Sequence, residues 1–425
     1  MSQPDPADLA SSAIGVDSHG VEAYGVGSRA GGEPTVLAKL GDTVIDIHRL
    51  QAMGLLSVGG EATAEQGSVF RATSLNRFLA LGSRTWQAVD EQLTEIVRTG
   101  VPPQAILPTA EMSLVLPIEV ADFCDFYASE HHASNMGRIL RPGSEPLPPA
   151  WRTVPLGYHG RSGTVVVSGT PIHRPMGIVA GTTGPVYCAT SRLDVEVELG
   201  FVIGADSARC TPVRVEEALD HVFGVVILND WSARDIQAFE YQPLGPFLGK
   251  SFATSISPWV VPIRALSAFR VDAGDQGDEV GAHLKCAQPR AFDISLELSI
   301  NSTVVSRPNA RYVHWSVEQL VAHLTSNGAC VRTGDLVATG TISGPDKSTW
   351  GSLMELAWGG EHPLELNDGH KRAWLEDGDT ATIRAWLVGE GRATKGHAGT
   401  DSGSSKERIF LGEVTGTVLA ATPWS

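Results

Sequence analysis

The sequence predicts a mainly β protein with some α-helix, in which a small N-terminal β-domain precedes a larger strand-rich domain. Short stretches of alternating apolar and polar residues near the start indicate the first domain. Further on, β-branched runs punctuated by Gly and Pro, with few helix candidates between them, indicate the second. Because a doubly wound sheet needs a crossover helix after most strands, we expect a mainly antiparallel roll or barrel instead.

The N-terminal domain is placed at residues 1–117. Thr35 to Leu40 and Thr43 to Ile47 alternate around a Gly-Asp turn and predict a hairpin. Apolar residues then recur at near-helical spacing from Leu75 to Val97, and prolines follow this predicted helix. We place the domain boundary near Pro117, in a chain whose 425 residues suit two domains.

The second domain, residues 118–425, is dominated by predicted strands. Helices are predicted at Val213 to His221 and at Ser316 to Leu324, the latter opened by a serine cap. Arg392 to Lys406 is rich in Gly, Ser and Thr and predicts a mobile loop inserted between late strands. The predicted strands are Thr164–Ser168, Leu193–Val202, Val222–Leu228, Phe292–Ile300, Asp335–Thr341 and Thr380–Leu387.

Composition and charge restrict the class of partner. The formal net charge of -16 is a poor match for nucleic acid or anionic lipid, whose recognition depends on Lys and Arg. No apolar run approaches the roughly 18 to 20 residues that cross a bilayer, and the start lacks a secretory leader, so we expect a cytoplasmic protein. The five cysteines contain no C-x-x-C pair and are expected to be reduced thiols. The expected partner is a small molecule or a cation.

An acidic stretch between Leu193 and Leu199 is the first candidate site. Read as one strand, it places Asp194, Glu196 and Glu198 on a common face, with neighbouring carboxylates about 7 Å apart. Three like charges on one face repel each other unless they face water or share a cation. The sequence alone leaves both interpretations open, a solvated polar face and a cation site.

Two further acidic groups favour the cation site. Asp230 follows the apolar strand at Val225 to Leu228, and Asp122 and Asp125 lie among aromatic residues. Hard divalent cations prefer carboxylate and carbonyl oxygens gathered from several segments. The sequence therefore suggests a calcium or magnesium site.

Candidate groups for proton transfer and charge stabilisation lie close by in the chain. His131 and His132 follow Asp125, and either could act as a general base toward water near a metal. Arg234 and Gln237 are three residues apart, so on a helical turn they share a face and could donate to one anionic group. Lys250 could be a further donor. The alternatives are ordinary surface charges and a loop lysine.

These residues lie in long stretches that resemble the fumarylacetoacetate hydrolase family. The resemblance spans most of the chain from Asp122 to Trp358, and the N-terminal part resembles the family's small domain more loosely. The matching stretches are DFCDFYASEHHASNMG, VPLGYHGRSGTVVVSGTPIHRPMG, LDVEVELGFVIG, LNDWSARDIQAFEYQPLGPFLGKSFATSISPWVVP, GDLVATGTISGP and GSLMELAWGG.

The resemblance implies a fold, an assembly and a reaction. It implies an SH3-like N-terminal domain, a β-roll catalytic domain and a homodimer. The implied reaction is metal-dependent hydrolysis of the carbon-carbon bond of 4-fumarylacetoacetate, a small acidic diketone. Its products are fumarate and acetoacetate, and it is the last step of tyrosine and phenylalanine degradation. Other enzymes of the wider superfamily, which act on other oxo acids, and a catalytically silent binding protein are the alternatives.

The resemblance also implies a role for each matching residue. Ca2+ and Mg2+ are the implied cofactors, and Asp194 is not among their ligands. The implied calcium ligands are Asp125, Glu196, Glu198 and Asp230, and the magnesium site is Asp230, Lys250 and Thr254. The implied base is His132, oriented by Glu355, with Arg234, Gln237 and Lys250 as oxyanion donors. The implied substrate contacts are Tyr127, Arg141, Tyr158, Gln237, Tyr241 and Thr341.

Overall fold

The computed structural model of the protein describes residues 21–29, 31–41, 43–59, 68–389 and 407–423. The loop predicted at Arg392 to Lys406 lies outside these described residues. Within the described part of the chain, no helix combines the length and the apolar character needed to cross a membrane.

The N-terminal part contains short strands packed against helices. The predicted hairpin is confirmed, since its strands pair from Leu37↔Asp46 to Leu40↔Thr43. The helix predicted over Leu75 to Val97 is wrong as a single element, because the chain turns at Gly82, where φ is 82°. The elements are β1 (Ala23–Arg29), β2 (Thr35–Leu40), β3 (Thr43–Asp46), β4 (Ile106–Pro108), β5 (Met112–Leu114), α1 (Ile47–Ala52), α2 (Asn76–Leu79) and α3 (Ser83–Thr99).

The remainder of the described chain is strand-rich, as the sequence predicts. Its helices are α4 (Glu130–Leu140), α5 (Arg234–Glu240), α6 (Val317–Thr325) and α7 (Leu353–Leu356). Its first strands are β6 (Phe123–Phe126), β7 (Gly157–His159), β8 (Val165–Val167), β9 (Ile172–His173), β10 (Met176–Gly181), β11 (Gly184–Ala189), β12 (Leu193–Asp194), β13 (Val197–Ile203), β14 (Val222–Asp230), β15 (Ser232–Ala233), β16 (Thr254–Ile256) and β17 (Trp259–Pro262). The later strands are β18 (Arg270–Asp272), β19 (Arg290–Phe292), β20 (Ile294–Ile300), β21 (Thr303–Ser306), β22 (Leu336–Ala338), β23 (Leu364–Glu365), β24 (Lys371–Arg372), β25 (Thr380–Gly389) and β26 (Glu407–Leu419).

Short 3-10 helices connect many of these elements. One of them, Val215–Asp220, replaces the α-helix predicted at Val213 to His221. Helix α6 confirms the second predicted helix, and its cap, Ser316, exchanges hydrogen bonds with Gln319 in a capping box. The other 3-10 helices are Pro103–Ala105, Thr109–Glu111, Ser162–Thr164, Ile263–Phe269, Ala282–Leu284, Ala310–Tyr312, Lys347–Thr349 and Trp358–Gly360.

The acidic stretch differs from the single strand that its alternation predicts. Strand β12 ends at Asp194 and β13 begins at Val197. In between, side-chain oxygens accept two of the backbone hydrogens: Val195 N–H donates to Asp194 Oδ1 at 2.8 Å, and Glu196 N–H donates to Asn229 Oδ1 at 3.1 Å. The predicted strand is therefore interrupted at Val195 and Glu196.

One sheet joins the two parts of the chain. Its strand order is β4-β3-β2-β1-β17-β14-β13-β22-β6-β7, so N-terminal β1 pairs directly with β17. A second sheet has the order β21-β20-β25-β26-β9. Most of the pairs are antiparallel, and parallel pairing joins β16 to β8, β22 to β6 and β26 to β9. The predicted class, mainly β with some helix, is confirmed.

Candidate active site

Three carboxylates from neighbouring strands meet inside the larger sheet. Asp125 comes from β6, Glu198 from β13 and Asp230 from the end of β14, and one oxygen of each lies within 4.8 Å of the others. All three residues are buried. The solvated-face interpretation of the acidic stretch is therefore wrong, because Asp194 and Glu196 are buried as well.

Two carboxylates of this triad have oxygens without a hydrogen-bond donor. Both carboxylate oxygens of Glu198 and Oδ1 of Asp125 are buried and receive no hydrogen bond. Burial, together with the charge of Asp230, raises the pKa of Asp125 to about 8, and burial beside Asp125 raises the pKa of Glu198. Unpaired buried carboxylates are costly unless a cation binds them. The residues present thus fit a hard divalent cation with oxygen ligands.

The third carboxylate, Asp230, is surrounded by donors. Thr254 Oγ1 donates to its Oδ1 at 2.7 Å, while Lys250 Nζ and the Tyr158 hydroxyl donate to its Oδ2 at 2.6 and 2.8 Å. Burial would lower the pKa of Lys250, but the charges of Asp230 and Glu196 raise it well above its ordinary value. A protonated ammonium has no lone pair, so Lys250 in this arrangement neutralises carboxylates. Its assignment with Thr254 to a magnesium site stays a prediction.

Glu196, also predicted as a calcium ligand, is engaged by cationic side chains. Arg234 Nη2 donates to its Oε1 at 2.6 Å, and Lys250 donates to its Oε2. Burial would raise the pKa of Glu196, but Arg234 and Lys250 outweigh it and lower the pKa. Its carboxylate thus lies between the triad and the basic residues, and a role as a ligand stays a prediction.

The structure brings His132, not His131, into the site. Helix α4 begins after Ser129, whose side chain caps it. On its first turn His132 is buried, its Nδ1 lies 2.7 Å from Glu355 Oε2, and its Nε2 lies 3.8 Å from Glu196 Oε1. Because a carboxylate only accepts, Nδ1 carries the hydrogen and Nε2 is free to take a proton. The ring of His131 instead packs 6.0 Å from that of Tyr312.

Glu355 is fixed by four donors. Besides His132, the side chains of Asn135, Ser343 and Ser352 each donate to its carboxylate at 2.9 Å. Burial would raise the pKa of Glu355, but His132 and these hydrogen bonds lower it, so the group is ionised. The sequence analysis missed the three polar partners. Two of them carried a local signal: Asn135 lies one helical turn after His132, and Ser352 lies three residues before Glu355 in a serine-x-x-glutamate capping pattern.

Arg234 and Gln237 lie on α5 and share a face, as their spacing predicts. Arg234 Nη1 donates to Gln237 Oε1 at 3.1 Å. Arg234 and Lys250 are each only 6% exposed, so the alternative of surface charges is wrong for both. Arg234 Nε donates to Asp194 Oδ2 at 2.8 Å, a partner that the sequence analysis did not assign.

A cleft of about 300 Å³ opens beside Asp230 and its basic partner Lys250. Tyr158, Asp230, Lys250 and Thr254 lie at this cleft, together with Phe247. These residues come from β7, β14, β16 and the chain between α5 and β16. The cleft therefore gives a small molecule access to the buried charged groups.

The other predicted substrate contacts are distributed around this region. The ring of Tyr127 lies 5.4 Å from that of His132, in an edge-on arrangement. The buried Thr341 Oγ1 has no hydrogen-bond partner. Tyr241 is the C-cap residue of α5, and Arg141 is the C-cap residue of α4, with its guanidinium donating to Pro146 O at 3.1 Å. Contact of these residues with a substrate stays a prediction.

A buried histidine bonded to a carboxylate, next to carboxylates that fit a divalent cation, is an arrangement that metal-dependent enzymes use. Two family models cover nearly all of the described chain: fumarylacetoacetase N-terminal over residues 23–117 and fumarylacetoacetate (FAA) hydrolase C-terminal over residues 122–404. The chain belongs to the fumarylacetoacetate hydrolase family.

Curated relatives and solved structures agree with this membership. Human fumarylacetoacetase is 36% identical over 416 residues, covering 94% of this chain and 95% of the relative. Fumarylacetoacetase of Arabidopsis thaliana is 37% identical over 375 residues, covering 84% and 88%. A fumarylacetoacetate hydrolase structure from Exiguobacterium antarcticum has a TM-score of 0.54 at 17% identity, covering 94% of this chain and 99% of that one. A maleylpyruvate hydrolase from Sphingobium has a TM-score of 0.51 at 16% identity, covering 94% and 100%. The last two show the shared fold.

Proposed function

We propose that this protein hydrolyses the carbon-carbon bond of 4-fumarylacetoacetate, giving fumarate and acetoacetate. Curated relatives named fumarylacetoacetase match nearly the whole chain at 36% and 37% identity. The observation that carries the proposal is the free Nε2 of His132, which faces the acidic site while its Nδ1 is fixed to Glu355 at 2.7 Å. This pair can activate water next to a bound diketone.

The proposed cofactor is Ca2+ or Mg2+. Asp125, Glu198 and Asp230 would bind it, with Glu196 as a fourth candidate ligand. When bound there, a divalent cation would polarise the two oxygens of a 1,3-diketone and stabilise negative charge on the departing enolate. The unpartnered oxygens of Asp125 and Glu198 support this assignment.

The chain's own residues supply the proton transfer. His132 Nε2 takes a proton from water, and the resulting hydroxide attacks the carbonyl carbon next to the bond that breaks. The adjacent carboxylate of Glu355 stabilises the imidazolium formed in this step. His132 then returns the proton to the carbon of the departing acetoacetate, so that one water is consumed and the base is regenerated.

Donors close to the carboxylates are available for the oxyanion. Lys250 has three N–H groups, and Glu196 and Asp230 accept two of them. Arg234 retains an Nη1 hydrogen beyond its bonds to Asp194, Glu196 and Gln237. We propose that these groups and the Gln237 amide stabilise the tetrahedral oxyanion.

We propose that three tyrosines, one arginine, one glutamine and one threonine recognise the substrate. Arg141 would contact a substrate carboxylate through two parallel hydrogen bonds. The unpartnered Thr341 hydroxyl and the cleft position of Tyr158 support contacts with the substrate. Tyr127, Gln237 and Tyr241 complete the proposed set.

The biological setting is proposed from family membership. We propose a cytoplasmic homodimer that completes tyrosine and phenylalanine degradation. The free state of all five cysteines is consistent with a reducing compartment.

The test is to follow the diketone absorbance of fumarylacetoacetate after adding purified protein. We expect decay that stops with a chelator and returns with Mg2+ or Ca2+, with fumarate and acetoacetate as products. No decay from folded, metal-loaded protein would reject the proposed substrate and lead to a panel of other oxo acids. Decay that persists after complete chelation would reject the metal requirement.

A further inference from the structure

A buried carboxylate outside the acidic triad links two parts of the site. The side chain of Asp194 is completely buried at the end of β12. Four groups donate to it: Arg234 through Nε at 2.8 Å, and the backbone N–H groups of Val195, Leu353 and Met354 at 2.8, 2.8 and 3.2 Å. None of the roles assigned above requires this residue.

The first connection leads to the base. Leu353 and Met354 are the first two residues of α7, and the N–H groups at a helix start have no partner within the helix. Asp194 accepts both, while Ser352 caps the N–H of Glu355. Asp194 therefore fixes the short helix whose third residue, Glu355, orients His132.

The second connection leads to the oxyanion donors. Arg234 contacts Asp194 Oδ2 through both Nε and Nη2, at 2.8 and 2.7 Å, which fixes the plane of the guanidinium. The same guanidinium reaches Glu196 through Nη2 at 2.6 Å and Gln237 through Nη1 at 3.1 Å. Movement of Asp194 would displace Arg234 and, through it, Gln237.

We propose that Asp194 is a positioning residue that aligns the His132–Glu355 pair with the Arg234–Gln237 pair across the site. This inference rests on the proposed hydrolysis. Asp194 bonds Arg234 through Nε and Nη2 and leaves available the Nη1 group that is proposed to donate to the oxyanion. We therefore expect Asp194 to affect the chemical step more than substrate or metal binding. Misplacing catalytic groups by about 1 Å can cost about 100-fold in rate.

The test compares Asp194→Asn with Asp379→Asn. The asparagine amide has nearly the shape of the carboxylate. Its NH2 group cannot accept a hydrogen bond, however, and would have to face an N–H donor of Arg234 or of α7. Asp379 is a matched control, since it is buried and accepts Arg372 Nε, Asn301 Nδ2 and the Glu376 N–H at 2.8, 2.7 and 2.7 Å, and none of these partners has a proposed role in catalysis. We expect Asp194→Asn to lower kcat about 100-fold with KM within about threefold, and Asp379→Asn to lower Tm with unchanged kcat.

Calorimetric titration with Ca2+ and with Mg2+ completes the comparison. Cation affinity equal to that of the unaltered protein is expected for Asp194→Asn. A folded Asp194→Asn enzyme with unchanged kcat, or one whose loss is confined to KM or cation affinity, overturns the inference. Equal kcat losses in both variants would also overturn it, because they would indicate a general stability effect.

A second substitution keeps the inference testable if Asp194→Asn does not fold. Asp194→Glu retains the charge and the acceptors but adds one methylene. We expect a kcat between those of the unaltered enzyme and the 100-fold loss, again with unchanged KM. Unchanged kcat in folded Asp194→Glu rejects the positioning role. Failure of the proposed function is distinguishable, since the unaltered protein would then not consume fumarylacetoacetate.

Discussion

Replacing Glu355 by glutamine tests whether a negative charge beside His132 assists proton removal from water. Glutamine has nearly the same shape, and its oxygen can still accept the Nδ1 hydrogen of His132, which now bonds the carboxylate at 2.7 Å. The neutral imidazole therefore keeps its tautomer. The charge that stabilises the imidazolium is removed.

The magnitude follows from distance and burial. Two unit charges about 4 Å apart, at an effective dielectric constant of about 20, interact by about 4 kcal/mol. Glu355 has no exposed surface, so solvent does not screen the pair. Since about 1.4 kcal/mol corresponds to tenfold in rate, we expect kcat to fall about 1000-fold, with KM within about threefold.

The assay is the initial rate of diketone loss at saturating cation, with Glu361→Gln as the control. Glu361 is an exposed carboxylate shortly after α7, and its substitution should leave kcat unchanged. Thermal unfolding establishes that each variant is folded. A folded Glu355→Gln enzyme with kcat within about tenfold of the unaltered enzyme would refute an ionised partner for the base.

Three further outcomes follow from the site. His132→Ala should reduce kcat by at least about 1000-fold, with the cation affinity measured by calorimetry unchanged. His131→Ala should keep most of the activity, and the reverse result would assign the base to His131. Asp230→Ala should weaken Mg2+ and Ca2+ binding and activity together, and tight cation binding by this variant would contradict the assigned triad. Without cation at neutral pH, Glu198→Gln should raise Tm by a few °C, because burial raises the pKa of Glu198 and the folded state must then take up a proton or hold an unpaired charge. The substitution should also abolish the Tm increase that cation produces in the unaltered protein, and a lower Tm in the absence of cation would contradict the unpaired state of Glu198.

Local patterns predicted some elements well and others poorly. The β2–β3 hairpin was predictable because its turn and its alternation lie within a dozen residues. The interruption of the predicted strand at Glu196 was not predictable, because Asn229, which accepts the Glu196 N–H, lies in a strand 33 positions further along the chain. Gly82 similarly divides a helical pattern that the spacing of apolar residues alone makes continuous.

The residue types of the site were recognisable, but their partners were not. Carboxylates on apolar strands indicated a cation site, and the triad agrees with that hypothesis. Other acidic residues, such as Glu196 and Asp194, bond basic side chains, and only tertiary contacts determine which residues do so. Ser343 carries no local signal for its role, since it lies 12 residues before Glu355 in the chain, whereas Ser352 stands in a serine-x-x-glutamate capping pattern with Glu355.

The pairing of β1 with β17 makes the N-terminal strands part of the structure that carries Asp230. Tyr24 on β1 packs 5.6 Å from Phe223 on β14, and Trp86 of α3 lies 5.2 Å from the same ring. Excising the N-terminal segment would leave β17 with an unpaired edge and β14 with uncovered aromatic surface, both of which favour aggregation. Anyone who expresses only the catalytic half should therefore expect an insoluble product, and a chain severed near Pro117 should work only if both fragments are supplied together.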